Sequence, residues 1–215
     1  MSKRGMVCIG GQGPKPEVLR QLDLTGYDLI AAADSGYHLC ERLGIRPSVL
    51  IGDMDSIRKD VNCLDAEIEV HPVDKDHTDT QLGCMLLLER GCSALLVLGG
   101  GEGRIDHTLD LYYSFMDLAP SADIHWITRC DHIWFVSAGK QLVLEAQAHT
   151  RLSVFPEPSA RYVSEGLYWK AEAAPYSMSN RLAEPTCRIA VESGTVMVIT
   201  SVEGFRSCSL GQRVQ

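Results

Sequence analysis

Residues 48–56 read Ser-Val-Leu-Ile-Gly-Asp-Met-Asp-Ser: the short apolar run Val49 to Ile51 breaks at a glycine into two aspartates one residue apart. The run reads as a buried strand, and in extended backbone Asp53 and Asp55 project to the same side while Met54 turns away. An isolated pair of this kind is usually a turn whose carboxylates accept backbone amides. Here other aspartates stand in matching places, Asp34 after one strand-like run, Asp74, Asp76 and Asp79 after another, and Asp106 after a third. Fourteen of the fifteen aspartates precede residue 124, so this acidity belongs to one part of the chain. In an open α/β sheet the loops at the carboxyl ends of parallel strands share one edge, and carboxylates distant in sequence meet there. Such groups repel one another unless a cation lies between them, and magnesium suits oxygen ligands completed by substrate phosphates.

Outward from this stretch, residues 6–10, 28–33, 48–51, 68–72 and 94–98 read as strands. Helical patterns at 16–22, 36–43, 79–90 and 107–118 separate most of them, with Leu82, Met85, Leu86 and Glu89 at amphipathic spacing. The alternation predicts an α/β region, a mostly parallel sheet with helices on both faces. Near Asp123 the pattern changes to short, β-branched or alternating runs at 124–128, 133–136, 141–144, 151–155, 187–191 and 196–200. Ser193-Gly194 is a hairpin signal, and Ala138-Gly139 and Pro156 to Pro158 mark turns. The expected organisation is therefore an α/β nucleotide- and metal-binding domain over 1–123, then a smaller all-β sandwich domain over 124–215.

Charge follows the same division. Residues 1–123 hold eleven Lys and Arg against twenty Asp and Glu, while residues 124–215 hold nine against eight. An acidic surface repels a polynucleotide backbone, which excludes sequence-independent binding to nucleic acid. No segment reaches the roughly 20 apolar residues needed to cross a bilayer, so no membrane partner is expected. The eight cysteines form no C-x-x-C pair and several lie in apolar runs, so they read as reduced thiols of a cytoplasmic protein.

Two further loops carry chemistry. Lys75-Asp76-His77-Thr78-Asp79-Thr80-Gln81 opens a helix, and Thr78 with Gln81 has capping-box spacing. Capping leaves Lys75, Asp76 and Asp79 to explain; lysine and helix amides favour phosphate oxygens and the acids favour a bridging cation. Gly99 to Gly103 followed by Arg104, Ile105, Asp106 and His107 allows close backbone approach to a ligand, although Asp106 in a plain helix-capping role would look the same. His77 and His107 likewise read as caps or as proton acceptors. Gly10-Gly11-Gln12-Gly13 is generic, and the chain has neither G-x-x-x-x-G-K-[ST] nor G-x-G-x-x-G.

Together and in order, A-D-S-G at 33–36, G-D-M-D-S at 52–56, K-D-H-T-D at 75–79 and G-R-I-D-H at 103–107 resemble the thiamine pyrophosphokinase family. The resemblance runs the length of the chain. It implies a homodimer that binds ATP and thiamin and transfers pyrophosphate from ATP to the hydroxyethyl oxygen of thiamin, giving thiamin diphosphate and AMP. By the same resemblance Asp53, Asp55 and Asp79 organise Mg2+, with Asp106 beside them in the catalytic group. Asp34, Lys75, Asp76, Thr78, Arg104 and His107 contact the nucleotide. Trp169, Ser177, Ser179 and Asn180 match the family's thiamin-side segments, Trp169 stacking on the aminopyrimidine or else serving as a core or interface aromatic. Two other functions fit the acidic loops: a pyrophosphokinase for another heterocyclic alcohol such as a pterin, and a non-catalytic, metal-dependent nucleotide-binding regulator.

Overall fold

The computed structural model describes residues 3–20, 22, 24–55, 57, 65–72, 76–170 and 176–212. The chain divides into two compact units, residues 1–114 with 126–129 and residues 115–125 with 130–215.

The first unit holds strands β1 (Lys3–Cys8), β2 (Leu29–Ala33), β3 (Val49–Gly52), β4 (Glu67–Val70) and β5 (Cys92–Leu98), in spatial order β5-β1-β2-β3-β4. All four pairings are parallel. Helices α1 (Pro16–Leu19), α2 (Gly36–Leu43) and α3 (Asp79–Glu89) connect them, and α4 (Ile105–Leu118) follows β5. Successive residues of a strand point to opposite faces: Val7 lies against Gly83 of α3, and the Cys8 thiol is hydrogen-bonded to Cys40 of α2. Helices therefore cover both faces, as expected, and the near-continuous apolar runs of β2, β3 and β5 are what a doubly covered sheet requires. Because β1 lies between β2 and β5, the strand order reverses at β1 and opens a crevice at the carboxyl ends of β1 and β5.

The face of α3 differs from the sequence expectation. Its buried residues are Gly83, Cys84 and Leu87, whereas Leu82, Met85 and Leu86 are only half-buried and Glu89 is exposed. Small side chains bring the helix axis close to the sheet, so the stripe nearest the core is not the one richest in large apolar residues.

The second unit is antiparallel. Strands β7 (Asp131–Ser137), β9 (Arg151–Pro156), β11 (Ser177–Arg181) and β13 (Thr195–Ser201) run in order β11-β9-β13-β7. β8 (Lys140–Ala146), β10 (Arg161–Glu165), β12 (Thr186–Ser193) and β14 (Phe205–Gln212) form a second sheet, β10-β12-β8-β14. Trp134, Val136, Leu152, Val154, Val196 and Val198 from one set meet Leu142, Leu144, Ile189 and Val191 from the other in one core, a sandwich. β6 (Asp123–Ile127) straddles the division, residues 126–127 counting with the first unit.

The hairpin expected at Ser193-Gly194 does not form. β12 pairs with β10 and β8, while β13 pairs with β7 and β9. Both strands turn apolar residues into the shared core, so burial selects their partners, and the glycine turn carries the chain from one sheet to the other. β10, β11 and β14 escaped the sequence reading because most of their exposed residues are polar and their apolar alternation is weak. Among the described residues no helix is long and apolar enough to cross a membrane. Described cysteines are all unbridged thiols; Cys8, Cys40, Cys84, Cys92 and Cys187 are buried, but Cys130 and Cys208 are exposed.

Candidate functional site

β3 ends at Gly52, and the backbone beyond it is not extended. Gly52 has φ 144° and Met54 φ 65°, and the Asp53 carboxylate accepts the amide of Asp55 at 3.1 Å. The turn still brings the two carboxylates together. Asp34 follows β2 at φ 47°, its amide donating to Ile51 O at 2.7 Å, which pins it beside the end of β3. Ligand oxygens of Asp34, Asp53 and Asp55 lie within 4.8 Å of one another. Three convergent hard oxygen donors suit a cation such as magnesium. Gly52 makes the convergence possible: a Cβ there would sit 3.3 Å from both Asp34 Cβ and Asp79 Oδ1.

Asp79 is the first residue of α3, beside the capping box. Thr78 Oγ1 accepts from Gln81 N at 3.4 Å, and Thr78 N donates to Gln81 Oε1 at 2.8 Å. The sequence reading of Thr78 as a cap is therefore correct, and this fixes Asp79 at the helix start. A cleft of about 820 Å³ within the first unit is lined by Asp34, Asp76, Thr78, Asp79, Arg104, Asp106 and His107, along with Ser35, Glu102 and Asp110. Lys75 lies outside the described residues.

Arg104 is not poised alone over the cleft. Its guanidinium pairs with the Asp106 carboxylate, Nε donating to Oδ1 at 3.1 Å and Nη2 to Oδ2. Asp106 also accepts the His107 amide at 3.1 Å. Arg104's hydrogen bond is the main cause holding the Asp106 carboxyl below its usual pKa. A carboxylate so stabilised is a weak proton acceptor.

The glycine loops are braced by residues that sequence inspection passed over. Arg42 Nη2 donates to the carbonyls of Gly11 and Gln12, both at 2.9 Å, and Glu102 Oε2 accepts the Gln12 amide at 3.0 Å. Gly100 N donates to Gly10 O at 2.7 Å, locking the loop after β1 to the loop after β5. Trp126 Nε1 donates to Gly99 O at 2.7 Å. At Gly99, φ is 108° and a Cβ would lie 2.6 Å from Ile9 O, so a side chain is excluded. Glu102 lies within the Gly99 to Gly103 run, but nothing in the sequence marked its role, nor Arg42 or Trp126.

In the second unit Trp169, Ser177 and Asn180 come together, but through structural bonds. Asn180 is fully buried. Its Nδ2 donates to Trp169 O at 2.7 Å and Ser177 Oγ at 2.9 Å, while its Oδ1 accepts the amides of Trp169 and Arg181. Asn180 thus holds the 166–169 turn against β11 and has little left to offer a ligand. Ser179 has φ 56°, and its amide donates to Ser153 Oγ at 3.0 Å. Trp169 is 56% exposed and packs edge-on against Tyr168, also exposed. Tyr176 and Met178 are exposed as well.

The family profile "Thiamin pyrophosphokinase, catalytic domain" matches residues 22–124. Thiamin pyrophosphokinase 1 of Caenorhabditis elegans is 33% identical over 81 residues, 35% of this chain and 33% of that protein. Thiamine pyrophosphokinase 1 of Oryza sativa subsp. japonica is 28% identical over 184 residues, 74% of this chain and 68% of that protein. The thiamine pyrophosphokinase structure from Bacillus subtilis superposes with a TM-score of 0.75 at 20% identity, covering 93% of this chain and 99% of that one. Yeast thiamin pyrophosphokinase gives 0.69 at 17%, covering 93% and 86%. At such identities the structural likeness speaks for the fold.

Proposed function

The chain belongs to the thiamin pyrophosphokinase family, and from that premise we propose that it transfers the pyrophosphoryl group of ATP to the hydroxyethyl oxygen of thiamin, yielding thiamin diphosphate and AMP. The observation that carries this reading is the convergence of Asp34, Asp53 and Asp55 within 4.8 Å, next to a cleft lined by Asp79 and the glycine loops. Bound there, Mg2+ would neutralise charge on the triphosphate. Displacement at phosphorus depends mainly on alignment and charge neutralisation, which a rigid set of carboxylates supplies without a covalent intermediate.

Asp53 and Asp55 would hold the metal, with Asp34 completing the set and Asp79 nearby at the start of α3, beside Gly52. The Arg104–Asp106 pair turns a guanidinium toward the transferring phosphates. The Arg104 contact keeps Asp106 ionised and makes it a weak acceptor for the hydroxyl proton. Asp76, Thr78, Lys75 and His107 belong to the nucleotide side, Thr78 acting through its cap. Trp169 stacks on the aminopyrimidine, Ser177 and Ser179 line that region, and Asn180 acts by holding Trp169 in place. A homodimer in the cytoplasm is the expected setting.

Mass spectrometry of products from protein, magnesium-ATP and thiamin tests the reading. Thiamin diphosphate with AMP is expected. ADP with thiamin monophosphate would replace it with ordinary kinase chemistry, and turnover of a hydroxymethylpterin in place of thiamin would replace the acceptor. ATP binding without turnover of either alcohol would leave a regulator.

A further inference from the structure

Glu102 is an acid among glycines, and neither metal clustering nor the chemistry of phosphate transfer uses it. It lies in the loop after β5 and lines the cleft beside Gly10, Gly11, Gly100 and Gly101. Strand order reverses between β1 and β5, and in such sheets the ligand sits in that crevice. Its carboxylate is not one of the three that converge within 4.8 Å around Asp34. Oε2 accepts the Gln12 amide at 3.0 Å, while Oε1 is buried with no hydrogen-bond donor among the described residues. A buried carboxylate oxygen without a donor is costly, so it is suited to a ligand that supplies one. The last torsion of a glutamate is soft, so either oxygen can turn to the cleft.

A carboxylate cannot face phosphate oxygens without a cation between them, so the portion of nucleotide beside Glu102 must be a hydrogen-bond donor. In a nucleoside triphosphate whose phosphates lie toward the aspartates, the neighbouring donor group is the vicinal diol of the sugar. Resting on the proposed use of ATP, we infer that Glu102 is a specificity-determining residue that accepts hydrogen bonds from the ribose hydroxyls and selects ribonucleotides over deoxyribonucleotides. Arg42 acts with it as a positioning residue, since its two bonds to Gly11 and Gln12 carbonyls hold the loop that orients the carboxylate.

Calorimetric titration of the full chain with magnesium complexes of ATP, 2′-deoxy-ATP and 3′-deoxy-ATP tests this without thiamin or turnover. ATP should bind the unaltered protein at least about tenfold more tightly than one of the deoxy analogues, as expected for losing a hydrogen bond to a charged acceptor. Glu102→Gln and Glu102→Ala should each bring that ratio close to one. Magnesium tripolyphosphate, which lacks a sugar, should bind parent and variants alike. The inference is overturned if the ratio is the same in parent and both variants, or if the variants lose tripolyphosphate as strongly as ATP, which would make Glu102 only a loop brace. Absence of pyrophosphoryl transfer with intact nucleotide discrimination would instead count against the proposed reaction and leave Glu102 in this role.

Discussion

Acid should destabilise the second unit through one histidine pair. His125 Nε2 and His132 Nδ1 are 3.0 Å apart, their rings stack at 5.2 Å, and Trp134 and Phe205 cover His132 at 5.6 and 4.1 Å. His132 is 1% exposed, and its Nε2 has no hydrogen-bond partner among the described residues. A proton added there would bury a charge without an acceptor, and burial lowers the His132 pKa from 6.5 to about 4. His125 is lowered too, by burial first and then by His132. Asp131, next in sequence, has its pKa raised by burial, with Arg151 opposing.

The sign follows from proton counting. Between pH 6.5 and about 4 the unfolded chain holds a proton on His132 that the folded chain refuses, so stability falls as pH falls through that window. From about pH 7 to about pH 4.5 the loss from His132 is on the order of 2 kcal/mol, a sizeable part of a typical domain's stability. Urea unfolding at those two pH values, in the parent and in His132→Phe, measures it. The aromatic replacement keeps most of the packing and cannot titrate, so its loss over the same range should be smaller by roughly 2 kcal/mol. Equal losses in the two proteins would refute the assignment.

Asp53→Asn should lower turnover by about a hundredfold or more and weaken Mn2+ binding measured by calorimetry, with the circular dichroism spectrum unchanged; near-normal metal affinity would remove Asp53 from the cation site. Thr78→Ala deletes half of the capping box and should cost about 1 kcal/mol, read as a lower urea midpoint. Trp169→Ala should raise the thiamin concentration for half-maximal rate and leave that for ATP in place. A change confined to oligomeric state in sedimentation would assign the ring to an interface.

Much of the first unit was legible because strand, glycine and aspartate recur in order. Val49 to Ile51 could be little else than a covered strand, and Thr78 with Gln81 announced a helix start through purely local bonding. Ser193-Gly194 misled for the opposite reason. A turn signal describes four residues, whereas the choice of partner strand depends on the sheet from which Ile189 and Val198 each enter the shared core. Polar β11 and β14 were hidden by the same logic, since edge and solvent-facing positions leave no apolar signature.

Sequence alone determined the alternation of elements and the acidic bias of the first unit, because each follows from local propensity or from composition. Tertiary structure decided that Asp34 joins Asp53 and Asp55, that Asp106 is tied to Arg104, that Asn180 is spent on holding Trp169, and that Glu102 shares a cleft with Gly11. Those facts depend on strand order, on left-handed backbone at Asp34 and Met54, and on which amide or guanidinium lies within bonding distance. Asp34 with Asp53 and Glu102 with Gly11 meet across tens of residues, Asn180 and Trp169 across eleven, and none of these pairings leaves a periodic trace in the chain.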